Sequence, residues 1–322
     1  MALALERSEL PDRLLVAIGG NATHPDNIRG TTEEQVQVAA QAAKALLPLM
    51  LMDNQLVITH GNGPVVGKIL MRQFYSRSQI PPMRLDVCVA HSQGGIGYLL
   101  IQAMENALIE AGRSRQLACV LTEVEVSRND AAFDTPSKPI GPFVTADEAK
   151  TLAASGWNMM EDAGRGWRLT VASPDPYAIV NLGMIEPLAR TGTVVVAAGG
   201  GGIPVVRGSD GRRSGIQAVI DKDLTSVLLA RALDFDHLLI LTAVSRVAIR
   251  FRKPAERWLD TVTLSELRRY QAEGHFAKGS MAPKVEAAIR FIEGGGKRVV
   301  IAHLNEAMAA LQGETGTHVI PD

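Results

Sequence analysis

The sequence predicts an α/β protein built around a largely parallel sheet. Strand-like and helix-like segments alternate along its 322 residues, and a hydrophobic content of 46% suffices for a large core. Three apolar runs end at glycine, which is typical of strands buried on both faces. These runs are Leu14–Ile18 before Gly19, Leu56–His60 before Gly61, and Thr193–Ala198 before Gly199. Because parallel strands present their carboxyl ends along one edge, the glycine turns should line one shared crevice.

The composition argues against several classes of protein. A formal net charge of -1 and an aromatic content of 4% give no basis for nucleic-acid binding. No apolar run approaches the ~18 residues of a membrane span, and the first residues lack the apolar core of a signal peptide. Cys88 and Cys119 have no metal-ligand spacing, so both are expected to be buried free thiols. We therefore expect no nucleic-acid or membrane partner and a cytoplasmic location.

The first part of the chain is predicted to alternate regularly between helix and strand. In the first helix, Val36 should face the core and Pro48 should kink the helix or end it early. Residues 84–90 are predicted to be either extended or the start of the following helix. The expected elements are a helix from Glu33 to about Met52 capped by Thr31 or Thr32, a strand Leu56–Thr59, a helix through Val66, a helix Gly94–Leu108 and a strand Leu117–Val126.

Residues 128–173 differ from the rest of the chain. Prolines and glycines interrupt regular structure there, and one short helix, Asp147–Ala154, is expected. A long segment with little periodicity is commonly a lid, so we predict a protruding flap that closes over the site.

Regular alternation then returns in the last part of the chain. The expected elements are an ordered segment Ala178–Asn181, a helix Met184–Arg190, a strand Val194–Ala198, a helix from near Asp221 to Leu233, a strand Leu238–Thr242, helices Thr263–Arg269 and Pro283–Gly294, and a strand Arg298–Ala302.

The familiar signatures of nucleotide-binding and hydrolytic sites are missing. The chain has no P-loop, no G-x-G-x-x-G, no H-E-x-x-H and no G-x-S-x-G. Three lysines stand out instead. Lys222 and Lys284 each fall in the first turn of a predicted helix, where a cation is disfavoured unless an anion compensates. Lys138 lies in a loop stiffened by prolines.

Each of these signals also has a simpler interpretation. Asp221 can be a helix cap and Lys222 a solvated residue, although Asp221 and Asp223 can also hold that lysine toward a phosphoryl group. His60 is expected to satisfy a turn, because nothing near it in sequence is a partner for acid–base chemistry. Together, three cations and glycine-rich strand ends favour phosphoryl transfer, which needs positioning and charge stabilisation more than covalent chemistry.

Seven stretches closely resemble carbamate kinase, a branch of the amino-acid kinase superfamily, and they follow in order from about Leu14 to Thr317. They are Ala-Ile-Gly-Gly-Asn-Ala (17–22), Ile-Thr-His-Gly-Asn-Gly-Pro (58–64), Ser-Gln-Gly-Gly-Ile-Gly-Tyr-Leu-Leu (92–100), Ser-Lys-Pro-Ile-Gly-Pro (137–142), Ala-Ala-Gly-Gly-Gly-Gly-Ile-Pro-Val-Val (197–206), Ala-Val-Ile-Asp-Lys-Asp-Leu (218–224) and Gly-Ser-Met-Ala-Pro-Lys-Val-Glu-Ala (279–287).

The resemblance implies a three-layer αβα sandwich with an open, mainly parallel sheet, and a homodimer. Residues 1–208, with the flap, would form the lobe that holds carbamate or carbamoyl phosphate, and residues 209–322 the lobe that holds ADP or ATP with Mg²⁺. The implied reaction is reversible phosphoryl transfer between carbamoyl phosphate and ADP, giving ATP and carbamate, in the catabolism of carbamoyl-yielding compounds such as arginine or purines.

The same resemblance implies roles for individual residues. Lys138 would reach the carbamoyl phosphate, Lys222 and Lys284 would flank the phosphates, and Asp221 would orient Lys222. The implied phosphate-binding residues are Gly19, Gly20, Asn21, Gly61, Asn62 and Gly63, and the implied nucleotide-binding residues are Thr242, Ala243 and Met281. The chain departs from the family pattern at Ala243, at Ala282 and after Ala22, which indicates a divergent subgroup. The departure at Ala243 is on the nucleotide side, so the resemblance leaves the preferred nucleotide undetermined.

Two other functions stay open at this point. One is a kinase of another small carboxylate or amino acid on the same fold. The other is a catalytically silent protein that binds a nucleotide or metabolite. The three lysines favour catalysis over silence, and the Ser-Lys-Pro-Ile-Gly segment resembles carbamate kinase in particular.

Overall fold

The computed structural model describes residues 10–20, 23–25, 28–162, 165–277 and 281–322. The strands are β1 (Arg13–Ile18), β2 (Gln55–His60), β3 (Leu117–Val120), β4 (Glu123–Val126), β5 (Lys138–Val144), β6 (Met159–Glu161), β7 (Trp167–Val171), β8 (Pro176–Ile179), β9 (Val194–Ala197), β10 (Ile203–Arg207), β11 (Arg213–Gly215), β12 (His237–Thr242), β13 (Ala248–Ile249), β14 (Arg257–Trp258), β15 (Thr261–Thr263), β16 (Arg298–His303) and β17 (Thr317–Ile320). The helices are α1 (Thr32–Met50), α2 (Gly63–Ser76), α3 (Leu85–Glu110), α4 (Ala146–Ala154), α5 (Leu182–Arg190), α6 (Lys222–Ala232), α7 (Leu264–Ala272), α8 (Ala282–Glu293) and α9 (Ala307–Leu311).

An eight-stranded sheet runs through the centre of the molecule in the order β15-β17-β16-β12-β1-β2-β9-β3. All pairings from β16 to β3 are parallel, whereas β17 pairs antiparallel with β16. The three strands that end at glycine, β1, β2 and β9, are consecutive neighbours in this order. Their carboxyl ends therefore lie along one edge of the sheet, as the sequence predicts.

Helices cover both faces of this sheet. Leu14, Val16 and Ile18 of β1 pack into one core with α1, α3 and α9. Leu15 and Ala17 point to the opposite face and pack with α5, α6, α7 and α8. This alternation follows from the two-residue period of a strand. The predicted three-layer αβα sandwich is confirmed.

The flap region has a sheet of its own. Strands β5, β7 and β6 form an antiparallel sheet in that order. The short helix predicted at Asp147–Ala154 is present as α4, which begins one residue earlier. Ile140 and Leu169 of this sheet pack against Val66 of α2 and Val89 of α3 in one buried cluster. The sequence indicated irregular structure here because the strands are short and β5 contains Pro139 and Pro142, which hides their alternation.

The predicted single strand Leu117–Val126 is wrong. The chain forms β3 in the central sheet and β4 in a second sheet of order β11-β10-β4-β8. Thr122 lies at the change of sheet, fully buried, and its hydroxyl accepts a hydrogen bond from the Ala198 N–H at 2.9 Å. Its own N–H donates to Gln93 Oε1 at 2.6 Å. These hydrogen bonds to Gln93 and Ala198 replace the strand-to-strand hydrogen bonds that would have continued β3 in the central sheet.

Helix α3 begins nine residues earlier than the predicted start at Gly94 and spans 26 residues. Residues 84–90 therefore open the helix, which was one of the two predicted alternatives. Cys88 is buried in α3, but Cys119 is exposed, contrary to expectation. The reason is that Cys119 lies on β3, which is the terminal strand of the central sheet.

Helix α1 starts as predicted and ends close to the predicted position. Thr31 caps it in a reciprocal capping box with Glu34, and Pro48 lies inside its last turn without ending it early. The prediction that Val36 faces the core is wrong, since Val36 is 42% exposed and the buried face begins at Ala39. None of the described helices has the length and hydrophobicity needed to cross a lipid bilayer.

Candidate active site

The three lysines that stand out in the sequence converge on two aspartates. Lys138 Nζ lies 2.8 Å from Asp221 Oδ2, and Lys284 Nζ lies 3.1 Å from Asp223 Oδ2. Lys222 Nζ donates to the other oxygen of Asp223. The lysines come from the flap, α6 and α8, which are separated by 62 to 146 residues in the sequence. Only the tertiary fold places their charges together.

The two aspartates have different partners from those the resemblance implies. Asp221 caps α6 by accepting a hydrogen bond from the Asp223 N–H at 2.9 Å, and its second oxygen binds Lys138. The carboxylate that contacts Lys222 belongs to Asp223, not to Asp221. Asp223 therefore bridges Lys222 and Lys284, and Asp221 ties the flap to the start of α6.

Burial and charge act against each other in this cluster. Burial alone would raise the pKa of Asp223, but the ammonium groups of Lys222 and Lys284 outweigh it and hold that pKa below its ordinary value. Asp221 behaves in the same way, with burial opposed by Lys138, and its pKa is also lowered. Burial lowers the pKa of Lys284, yet the charge of Asp223 dominates and the net shift is upward. The carboxylates are therefore ionised at neutral pH. Burial lowers the pKa of Lys222, although the charge of Asp223 opposes that shift. By composition the cluster has three lysines against two aspartates.

Three helices begin at this cluster. Helix α6 starts at Lys222, α8 starts two residues before Lys284, and α2 starts at Gly63. The N-terminal N–H groups of a helix and its dipole favour negative charge. Lysines beside such ends are unfavourable without an anion, so the arrangement as a whole is suited to binding a phosphoryl group.

Two hollows meet at the cluster. The flap-side hollow has a volume of about 530 Å³ and lies between the flap, α2 and the start of α6. Its walls include Lys138, Lys222, Gly61, Asn62 and Gly63. The larger hollow, of about 840 Å³, lies beyond the ends of β1 and β12. Both are within the range of about 300–1,000 Å³ that is usual for small-molecule sites.

The larger hollow collects the residues that the resemblance assigns to the nucleotide. Thr242, Ala243 and Met281 line it, together with Gly19 and Gly20. The residues that line both hollows are Gly20, Ile28, Asp221, Asp223 and Lys284. The two aspartates and Lys284 thus stand at the junction, where a group passing from one hollow to the other would be held.

The glycines at the strand ends are in close contact with one another. Gly19 N–H donates to Leu241 O at 2.8 Å, and Gly61 N–H donates to Ile18 O at 3.1 Å. A Cβ at Gly61 would lie 2.8 Å from the backbone nitrogen of Gly20, so no other residue fits there without a shift. Asn21 lies outside the described residues, so its predicted role stays a prediction.

Asn62 and His60 point into the protein rather than into the flap-side hollow. Asn62 Nδ2 donates to Ser92 Oγ at 2.9 Å, so its contribution to the hollow comes from the backbone at the start of α2. His60 is fully buried, its Nδ1 lies 3.0 Å from Gly61 O, and burial lowers its pKa to about 4. A neutral histidine that holds the Gly61 carbonyl agrees with the predicted role in a turn.

The Gly199–Gly202 turn fits between these two side chains. A Cβ at Gly199 would lie 2.2 Å from His60 Nε2, and one at Gly200 would lie 2.1 Å from Asn62 Nδ2. Gly200 also has a φ of +65°. The third glycine-rich strand end is therefore a packing device that supports the second one, and of its residues Gly200 lines the flap-side hollow.

Sequence reasoning did not single out two features of the flap-side hollow. Lys68 of α2 lines it, and its Nζ lies 2.8 Å from His24 Nε2 and donates to Arg29 O at 2.6 Å. Arg168 of the flap also lines it, and its Nε donates to Gly141 O at 3.1 Å. Neither has a local sequence signal for the site, because these contacts reach residues at least 27 positions away, although Arg168 also pairs with the nearby Asp162.

Comparisons with known proteins agree with this geometry. Residues 12–303 match the model of the amino acid kinase family. A carbamate kinase of Thermococcus kodakarensis is 47% identical over 315 residues, covering 96% of this chain and 99% of its own. A solved carbamate kinase from Giardia lamblia bound to citric acid superposes with a TM-score of 0.92 at 40% identity, covering 97% of this chain and 99% of that one. A second Giardia lamblia structure, bound to AMP-PNP, gives a TM-score of 0.88 at 41% identity with the same coverage.

The chain therefore belongs to the amino acid kinase family, and it is a phosphotransferase. Relatives that match over almost the whole chain, together with the solved structures, place it more narrowly among the carbamate kinases of that family.

Proposed function

We propose that this chain transfers a phosphoryl group reversibly between carbamoyl phosphate and ADP, with carbamoyl phosphate in the flap-side hollow and the nucleotide in the larger one. The observation that carries the proposal is the meeting of Lys138, Lys222 and Lys284 on two aspartates where the hollows join. A carbamate kinase that was solved with AMP-PNP bound, 41% identical to this chain, supports the use of an adenine nucleotide.

The reaction needs little from the protein beyond charge and position. The bond between phosphorus and the carbamoyl oxygen breaks, and a bond to the terminal oxygen of ADP forms. Carbamate leaves as an anion, so no proton has to be supplied to it. The negative charge on the phosphoryl oxygens is stabilised by Lys222 and Lys284 and by the N-terminus of α2. Lys138 binds the donor from the flap, and Asp221 and Asp223 hold the lysines in place.

The site fits a magnesium ion that arrives with the nucleotide. Among the described residues, no group of three or more histidine, cysteine, aspartate or glutamate side chains could hold a metal alone. Magnesium is usually held by one or two carboxylates together with substrate phosphates, and Asp221 and Asp223 line both hollows. When bound, the ion would neutralise charge on the nucleotide phosphates, which would be its main ligands. Asp221 or Asp223 would join them by giving up a lysine contact, since all four of their carboxylate oxygens already have partners.

One assay tests the proposal. Purified protein is incubated with carbamoyl phosphate, ADP and Mg²⁺, and ATP is measured with time. We expect ATP to form, and we expect acetyl phosphate in place of carbamoyl phosphate to give much less. ATP from acetyl phosphate at an equal or higher rate would favour another carboxylate kinase. No ATP from either donor would favour a silent binding protein.

We also propose that two copies associate through the β3 edge of the central sheet. This terminal strand has unpaired backbone groups, and the surface around it is apolar. Tyr98, Leu121 and Met184 are 61%, 52% and 63% exposed. Tyr98 belongs to α3, Met184 to α5, and Leu121 follows β3 directly. These elements adjoin one another, since α3 and α5 both pack against β3. Exposed edge strands with apolar surroundings are commonly covered in a stable assembly.

A further inference from the structure

A separate hollow of about 420 Å³ lies between the β13–β14 hairpin and the carboxyl end of α7. Arg250 and Arg257 of the hairpin region line one side, and Arg269, Tyr270 and His275 line the other. This basic hollow shares no lining residue with the two hollows of the candidate active site. The proposed phosphoryl transfer gives it no role.

Two guanidinium groups converge on one phenol oxygen in the basic hollow. Arg257 Nη2 donates to Tyr270 Oη at 2.5 Å, and Arg269 Nη2 donates to the same oxygen at 3.2 Å. Both guanidinium carbons also lie over the Tyr270 ring, 5.6 Å and 5.0 Å from its centroid. A phenol that accepts two hydrogen bonds still has its own proton to donate. The converging positive charges repel one another unless an anion joins them.

The carboxylates nearby balance these charges only in part, since the charges of Glu273 and Glu266 act on Arg269 alone among the three arginines. Glu273 is the carboxylate that lines the basic hollow, and its Oε2 lies 2.9 Å from His275 Nε2, whereas its Oε1 is 3.9 Å from Arg269 Nε. The neighbouring Glu256 and Glu266 accept hydrogen bonds from backbone N–H groups, at Arg252 and Thr263. Three guanidinium groups therefore face the hollow with one carboxylate among its lining residues.

Arg250 adds a second, independent observation. It has a φ of +53°, a backbone conformation that side chains other than glycine adopt only at a cost of order 1 kcal/mol. Among the described residues, its side chain has no hydrogen-bond or ion-pair partner, although it lines the hollow. An arginine that has no side-chain partner among the described residues and lines a basic hollow is available to an anion.

We propose that the basic hollow binds a small multivalent anion of the phosphate class, either inorganic phosphate or a phosphate monoester. The planar forks of Arg257 and Arg269 match two oxygens of such a group, because guanidinium binds phosphate bidentately. Tyr270 donates its proton to a third oxygen, and Arg250 supplies the remaining charge. This site is independent of the proposed kinase reaction.

The test is calorimetric titration of the full-length protein with inorganic phosphate at constant ionic strength. Phosphate can also bind at the catalytic lysines, so the wild type should show two classes of site. In Arg257→Gln and in Arg269→Gln, one class should weaken at least tenfold or disappear, and Tyr270→Phe should weaken it several-fold. ATP formation from carbamoyl phosphate and ADP should stay within twofold of wild type in all three variants.

The matched control is Arg212→Gln, which removes an equal charge from a side chain that is 90% exposed and lines none of the three hollows. It should leave both classes of phosphate site unchanged. Equal phosphate binding in the wild type and the hollow variants would overturn the proposal. So would an equal loss in Arg212→Gln, since that result would show only a general attraction of the anion to positive charge. Thermal unfolding monitors whether each variant is folded.

Discussion

Asp223 is the residue on which two of the three site lysines depend. Its side chain is 4% exposed and contacts both Lys222 and Lys284. One buried carboxylate holds both ammonium groups. The carboxylate itself is held in position because Asp223 lies in the first turn of α6. At this scale the site is a cluster of three lysines on two ionised aspartates, which suits an anionic substrate.

Replacing Lys222 with methionine should lower turnover about 10²–10³-fold, because a donor to the transferring phosphoryl group is lost. The fold should be retained, since Asp223 keeps its contact with Lys284. The measurement is the rate of ATP formation at saturating carbamoyl phosphate and ADP, together with a urea unfolding curve.

The control for this variant is Lys150→Met, on the flap helix α4, where the side chain is 79% exposed. Its exposed pair with Asp147 is worth little, so both activity and stability should match the wild type. A Lys222→Met protein with turnover within twofold of wild type would remove Lys222 from the reaction.

His60 predicts a dependence of stability on pH. Burial lowers its pKa from an ordinary value of 6.5 to about 4, so the folded protein resists a proton that the unfolded chain accepts. Its contribution is fully present above about pH 6.5 and is lost as the pH falls toward 4. Between pH 7 and pH 4.5, this amounts to roughly 2–3 kcal/mol of unfolding free energy.

Urea unfolding at several pH values measures this contribution. The wild type should lose about 2–3 kcal/mol more than His60→Gln over that range, because glutamine has no proton to gain. The buried His318, whose pKa is also lowered to about 4, chiefly by burial, contributes equally to both proteins and cancels in the comparison. Parallel pH dependences in the two proteins would contradict the assignment.

At the scale of elements, the contact between α2 and the flap decides where Lys138 lies. Gly67 of α2 faces Gly141 of β5, and a Cβ at Gly67 would lie 2.1 Å from the Cα and backbone nitrogen of Gly141. Backbone atoms cannot rotate away as a side chain does. Any larger residue at position 67 must therefore move the flap.

Gly67→Ala should lower ATP formation about 100-fold, since a displacement of about 1 Å in a catalytic group is enough for such a loss. Limited proteolysis should also cut faster between residues 128 and 173, because the flap loses its close packing on α2. The two measurements together distinguish a displaced flap from a damaged catalytic group.

Gly183→Ala in the first turn of α5 is the matched control. A Cβ there meets nothing within 4 Å, so the alanine should be neutral or stabilise the protein by up to about 1 kcal/mol. Wild-type activity and flap cleavage in Gly67→Ala would show that the flap position does not depend on this contact.

At the scale of the whole molecule, the central sheet is open at β3, and the proposed dimer would cover that edge. Leu121→Lys places a charge beside the strand and should convert the dimer to a monomer, as measured by light scattering. Ile80→Lys is the control, because Ile80 is 60% exposed in the loop after α2. A wild-type protein with the mass of one chain would contradict the proposal, as would a Leu121→Lys dimer.

Local sequence patterns predicted most of the central architecture. The helix cap at Thr31, the buried run of β1 and the capping box at Thr263 act over a few residues, and each is where it was predicted. The patterns failed where a distant contact overrides local preference. Thr122 ends a strand through hydrogen bonds to Gln93 and Ala198, which nothing near it in sequence announces.

The sequence by itself determined the α/β class, the three glycine-ended strands at one edge, and the identity of the lysines that stand out. These follow from the spacing of apolar residues, from glycines at the ends of apolar runs, and from lysines in the first turns of predicted helices, which are all local properties. Only the tertiary structure decided that Lys222 belongs with Asp223, that Asp221 holds the flap through Lys138, and that Cys119 is exposed on an edge strand. The physical reason is that ion pairs and burial depend on distances in space, and the fold brings together groups that sequence order leaves far apart.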